Sequence, residues 1–142
     1  MKKNEFNELL KVDIRELVSK KFQYGMTMVG VLEPNIKDST AVYIVNSDYM
    51  SLIYRCQTDD FTGYMKQKIF LDWQSIEYGN TNVHFICQEC GKRTLVLYNS
   101  GISFMCRKCT IDYQSKCLTD KEQTARIYEK LEKGTIMDTV WI

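Results

Sequence analysis

Cys87-Gln88-Glu89-Cys90 and Cys106-Arg107-Lys108-Cys109 form two Cys-x-x-Cys pairs, separated by fifteen residues. Two residues between thiols let a single tight turn present both sulfurs to one ion. The distance between the pairs suits a four-thiolate zinc site. Zinc has no directional d-electron preference and takes four such ligands tetrahedrally. Gly91 follows the first pair, where the chain must turn sharply with amides near the sulfurs. Between the pairs, Thr94–Tyr98 and Ile102–Met105 are strand-like, and Asn99-Ser100-Gly101 is turn chemistry. Knuckle, hairpin, knuckle predicts a zinc ribbon over 84–110, with Cys87, Cys90, Cys106 and Cys109 as metal ligands and Zn2+ as the cofactor.

The remaining chemistry-bearing residues do not add to that shell. His84, the only histidine, lies three residues before Cys87, but four cysteines already fill a tetrahedron, so it reads as a strand residue beside the ribbon. Cys56 falls in a predicted strand and Cys117 lies eight residues beyond Cys109. Both read as small apolar residues. A thiol nucleophile needs an adjacent base, and nothing links the one histidine to either. A four-thiolate shell leaves no open position for a catalytic water. No phosphate-cradling glycine loop, metallohydrolase motif or nucleophile elbow is present. The chain is expected not to be an enzyme, and no catalytic residue is assigned.

Lys92 and Arg93 follow the first knuckle, and Arg107 and Lys108 lie within the second. Two cation pairs brought to one end of a ribbon suit phosphate contacts, in DNA or RNA. Phe85, Tyr98, Phe104 and Tyr113 are interspersed. They either fill the ribbon's small core, with the cations a solvated face, or offer an exposed subset for stacking on unpaired bases.

These residues need elements to position them. Phe6, Leu9, Leu10, Ile14, Leu17 and Val18 recur at helical spacing, which predicts an amphipathic helix, or two short ones, over Asn4–Lys20. Met26–Leu32, interrupted by Gly30, is β-prone and ends before Pro34. Thr40–Val45, Tyr49–Cys56 and Tyr64–Trp73 follow as strands with short connections, which predicts an antiparallel meander. In the last of them Met65, Gln67, Ile69 and Leu71 share one face; Tyr64, Lys66, Lys68 and Phe70 share the other. Gln74–Val83 reads as an irregular lead into the ribbon. Thr119-Asp120-Lys121-Glu122 is a capping box, opening a helix that Gly134 stops. Thr124, Ile127, Tyr128 and Leu131 form its inward face; Arg126, Lys130 and Lys133 should meet solvent. The tail TIMDTVWI, with Asp138 and Trp141, is apolar enough to pack back. The fold class is thus α+β: an N-terminal helix, an antiparallel sheet over 27–73, a four-cysteine zinc ribbon and a C-terminal helix. Residues 1–83 form the helix and sheet region and 84–142 the ribbon with its helix, together one compact unit.

At 142 residues the core is adequate but not large, so a metal staple contributes materially to stability. The N-terminus has Glu5 and Glu8 where the apolar stretch of a signal peptide belongs, and metal-ligand spacing of the cysteines suits a reducing cytoplasm. No apolar run approaches membrane-spanning length. The net charge of +1 supplies no long-range pull toward a polyanion. Residues 84–134 hold nine Lys and Arg against six Asp and Glu, while 1–83 hold ten against eleven.

Three stretches resemble a family of small, largely uncharacterised bacterial zinc-ribbon proteins carried by phages and other mobile elements. IFLDWQSIEYGNTNVHFICQECGKRTLVLY is similar to that family's strand, lead-in and first knuckle, ending in the pair Leu97-Tyr98. FMCRKCTIDYQSK is similar to its second knuckle, followed by Tyr113 and a serine-containing turn. DKEQTARIYEKLEKG is similar to its polar helix, with Arg126, Ile127, Leu131 and the stop at Gly134. VDIREL (Val12–Leu17) resembles an element near its start. The chain departs from the pattern before the first knuckle, where Phe85-Ile86 precedes Cys87 and Gln88 takes a proline's position. The resemblance implies architecture and a mobile-element context rather than a reaction. Two functions follow: a non-enzymatic accessory or regulatory protein binding nucleic acid through the ribbon's basic end, or a protein that binds and inhibits a host defence or nucleic-acid-processing protein. Near-zero net charge and Asp59-Asp60 favour the second.

Overall fold

A computed structural model describes residues 9–32, 41–58, 61–75, 81–116 and 119–138. Among these the chain is mostly antiparallel sheet, and that overturns the α+β expectation built on a long N-terminal helix. Residues Lys11–Asp13 form β1 and only Ile14–Ser19 form α1. The helical spacing of Leu10, Ile14 and Leu17 is real, but Val12 is also buried, and burial at that position follows from strand pairing with Leu97. Asp13 then starts the helix afresh: its Oδ1 accepts from the Arg15 amide at 2.9 Å, an N-cap bond. Lys21 takes a left-handed φ of 70° just after it. Phe6 lies outside the described residues.

The meander is present, longer than its apolar runs. β2 (Met28–Leu32), β3 (Ala41–Val45), β4 (Tyr49–Thr58) and β5 (Phe61–Ser75) pair in order, all antiparallel. β5 is the spine. Its first ten residues pair with β4, and its opposite edge takes β10 (Ile136–Asp138) and then β6 (Thr81–Ile86). The irregular lead-in expected over Gln74–Val83 is therefore in part ladder. The tail returns to the sheet as its apolar character predicts, with Ile136 fully buried; Trp141 lies outside the described residues.

The ribbon hairpin is present across its turn and corrected in its first arm. β7 (Arg93–Thr94) pairs with β6 in the seven-stranded sheet, whereas β8 (Val96–Asn99) pairs with β9 (Phe104–Met105) and β1 in a second, three-stranded sheet. The chain changes sheets at Leu95, so the two arms leaving the knuckles belong to different sheets. α2 (Arg107–Ser115) and α3 (Asp120–Glu132) follow. The Thr119 hydroxyl caps α3 by accepting from the Glu122 amide at 3.2 Å. Gly134, φ 74°, closes it: the Gly134 amide donates to Leu131 and the Thr135 amide to Lys130, a Schellman ending.

The core lies on one face of the large sheet. Tyr43, Met50, Leu52, Tyr54, Met65, Ile69 and Phe85 pack there with Val12, Leu97 and Phe104 of the small sheet, Ile14 and Leu17 of α1, and Ile127 of α3. Gly30 is required beneath this layer, because a Cβ there would overlap the Tyr43 ring. The opposite face of the large sheet is open, and Val29, Val31, Val42, Ile44, Tyr64 and Phe70 are all exposed on it. No helix among the described residues is long and apolar enough to cross a membrane.

Candidate metal centre

β6 carries the chain to Cys87, which is fully buried. The knuckle after it is a tight turn: the Gly91 amide donates to the Cys87 carbonyl at 2.7 Å, and the Cys87 amide to the Lys92 carbonyl at 2.9 Å. Gly91 adopts φ 73°, a left-handed conformation that glycine enters without steric cost. From the other side β9 leads into Cys106, which caps α2 in an extended conformation, and Cys109 falls in that helix's first turn. The missed helix matters here. It holds the second knuckle at a helix N-terminus, where unpaired amides favour negative sulfur. The sequence signal for it was weak because Arg107–Ser115 carries almost no apolar periodicity; of its residues only Thr110 is buried.

The four sulfurs of Cys87, Cys90, Cys106 and Cys109 all lie within 4.8 Å of one another. Cys90 and Cys106 are 3.8 Å apart, and a tetrahedron with metal–sulfur bonds of about 2.3 Å has edges of about 3.8 Å. Amides already point at the sulfurs: that of Cys106 donates to Cys87 Sγ at 3.3 Å, and that of Lys92 is directed at Cys90. Such outer bonds orient thiolate ligands and spread their charge. Burial pushes the Cys87 thiol up to about 11 despite amide bonds from Cys106 and Cys90. Burial, then the neighbouring thiols, push Cys109 up further. Burial also raises Cys90, but the Lys92 amide and the other thiols outweigh it and leave Cys90 below its usual value. Four thiols this close cannot all ionise without a counter-charge, and a divalent ion replacing their protons supplies it. The donor set fits a metal ion held by four cysteines.

Outside that set, the other candidates are not brought to the centre. His84 lies on the open face of β6, paired in register with Asp72; its Nδ1 is buried without a hydrogen-bond partner among the described residues. Cys56 is buried in β4, its thiol 3.5 Å from the Gly101 carbonyl oxygen and pushed by burial up to about 11. Cys117 lies outside the described residues. Lys92, Arg93, Arg107 and Lys108 are all exposed around the knuckles, with Arg93 forming an ion pair to Asp72 at 3.7 Å. Of the interspersed aromatics, Phe85 and Phe104 are fully buried and Tyr113 packs half-buried against the core, so these three serve the core rather than a stacking surface; Tyr98 is half-buried.

Two supporting residues escaped sequence reasoning. Gln88, between the ligands of the first knuckle, donates through Nε2 to the Lys68 carbonyl and accepts from Gln67 Nε2 at 2.9 Å. Lys130, expected in solvent, is only 13 % exposed and pairs with Glu89 of the same knuckle. Helical spacing identifies an apolar face, but a lysine at its border can lay its stem along that face and carry its charge to a partner. Tyr128, assigned to the inward face, is instead 55 % exposed and meets Phe61 edge-on.

Comparison with protein-family models, with curated proteins and with solved structures yields no match to this chain.

Proposed function

We propose that the cysteine cluster holds one zinc ion as a structural staple, and that the chain is a non-enzymatic accessory or regulatory protein of a bacterial mobile element. In this reading it binds nucleic acid through Lys92, Arg93, Arg107 and Lys108 and works in a reducing compartment, the cytoplasm, where the thiols stay available. The single observation that carries the reading is the position of those cations. They adjoin or interrupt the knuckles whose four sulfurs converge within 4.8 Å, and all four are exposed. Zinc would fix the two turns relative to one another and so fix the spacing of the charges. With four thiolates as ligands no coordination position is left for water, which supports a structural role over a catalytic one. The mobile-element context rests on the sequence resemblance alone.

A titration against duplex and single-stranded DNA at two salt concentrations tests it. Affinity should fall steeply with salt, and replacing the four cations by Ala should weaken binding and flatten that dependence, by roughly 0.7–0.9 in log–log slope for each phosphate no longer neutralised. Metal content should be unchanged.

A second reading, a module that binds and inhibits a host protein, is favoured by one observation: Val29, Val31, Val42 and Ile44 form an exposed aliphatic patch on the open sheet face, and such patches mark interaction sites. Wild type that binds neither nucleic acid at about physiological salt would select it.

A further inference from the structure

The open face of the large sheet carries a second surface that the knuckles do not include. On β5 the side chains of Tyr64, Lys66, Lys68 and Phe70 alternate outward. Register sets Arg55 beside Tyr64, Ile53 beside Lys66, Ser51 beside Lys68 and Tyr49 beside Phe70. On the far side, the pairing of Leu71 with Phe85 places Ile86 beside Phe70, and Ile86 pairs with Arg93. One row of the sheet thus runs Tyr49, Phe70, Ile86, Arg93. Tyr64 is 57 % and Phe70 52 % exposed. Lys68 Nζ stands 4.0 Å from the Tyr49 ring centroid and 5.4 Å from that of Phe70.

The charge on this face is one-sided. Its described positions on the strands from β2 to β7 and on β10 hold Arg55, Lys66, Lys68 and Arg93 against Asp72 alone, which pairs with Arg93. In a chain of net charge +1 that is a local concentration of cations among exposed aromatic rings. A second copy packed face to face by a two-fold axis would set these cations against themselves. A polyanion is attracted. Duplex DNA hides its base faces, whereas an unpaired strand offers each base a ring to stack on, with its phosphates beside the cations. Tyr64 and Phe70, six residues apart on one strand, are separated by about 20 Å, room for several nucleotides.

We infer that the open face of the large sheet, through Tyr64 and Phe70 with Arg55, Lys66 and Lys68, is a stacking platform for single-stranded nucleic acid, continuous through Arg93 with the basic knuckles. The inference deepens the nucleic-acid reading and rests on it.

Fluorescence anisotropy with labelled oligo-dT and oligo-U, and a duplex as control, tests it at about physiological salt. Both aromatic residues are exposed, so their variants should melt as wild type does. Tyr64→Ala and Phe70→Ala should each weaken single-strand binding roughly 5- to 150-fold, the fold-change of about 1–3 kcal/mol per stacked base, and leave duplex binding unchanged. Tyr64→Phe and Phe70→Trp should restore it. The triple variant Lys92→Ala, Arg107→Ala, Lys108→Ala separates the two surfaces. If it loses single-strand binding while both aromatic-to-Ala variants match wild type, the platform is overturned and the basic-end reading stands. If the aromatic variants lose binding and the triple variant does not, the platform stands and the knuckles do not touch the strand. No binding of wild type to any strand overturns both. A wild-type dimer in sedimentation that Phe70→Ala dissociates, without any effect on nucleic-acid affinity, overturns the platform in favour of a self-association surface.

Discussion

Gln67 pairs with Phe104 as a strand partner would. Its Oε1 accepts from the Phe104 amide at 2.7 Å and its Nε2 donates to the Phe104 carbonyl at 2.8 Å, in a site where Gln67 is 1 % exposed. The same Nε2 reaches Gln88. One buried amide on the spine of the large sheet therefore satisfies the strand that leads into Cys106 and the turn that holds Cys87 and Cys90. It joins the two sheets where the metal site needs them joined.

Gln67→Leu should be costly because it strands both polar groups of Phe104 in a buried site. At about 1–3 kcal/mol for each unsatisfied group, the expected loss is roughly 2–6 kcal/mol by denaturant unfolding. The variant should also surrender its metal to a chelator faster than wild type, since the two knuckles lose their common anchor. A loss under about 0.5 kcal/mol with unchanged metal release would show that the latch is incidental.

For α3, the spacing of its residues and their burial give a testable order. Ile127 is fully buried and Leu131 half-buried, so Ile127→Ala should cost about 2–5 kcal/mol and Leu131→Ala less. Tyr128→Ala should cost least of the three. Thr119→Ala should remove about 1 kcal/mol of capping. Thermal melts of the four variants read the ranking, and equal effects of Ile127→Ala and Tyr128→Ala would contradict the docked orientation.

The cluster of four cysteines was legible because its signal is local: four residues of one type at fixed spacing. The strands of the meander were legible because alternation and turn residues are also local, and the burial of Met65, Gln67, Ile69 and Leu71 on one face follows their period. What the sequence concealed is non-local. Val12 lies within a stretch of helical spacing, and only its partner Leu97 makes it a strand residue. Thr94–Tyr98 reads as one strand until two different sheets claim its two ends. Lys130 reads as a solvent-facing residue because nothing near it in sequence reveals Glu89, and nothing near Gln88 reveals Gln67.

Cys56 gives a pH prediction. Burial raises its thiol to about 11 from an ordinary value of 9.0, so the folded chain keeps it neutral where the unfolded chain would ionise it. That preference contributes stability in full below about pH 9, and it is lost as pH rises through about 11, at up to about 1.4 kcal/mol per pH unit. Cys56→Ala should carry a pH-independent packing cost and fall less steeply than wild type over that window. Parallel curves for the two proteins in alkaline denaturation would contradict the assignment of Cys56 as a buried neutral thiol.

The centre of the proposal is that Cys87, Cys90, Cys106 and Cys109 together hold one zinc ion whose binding free energy is folding free energy. Elemental analysis of folded protein, after exchange against a mild chelator, measures this most directly. The expected result is one zinc per chain in wild type and in His84→Ala, and none in Cys106→Ser, whose ribbon should also melt. Less than half an equivalent of zinc in a wild-type sample that stays well folded under the chelator would contradict it.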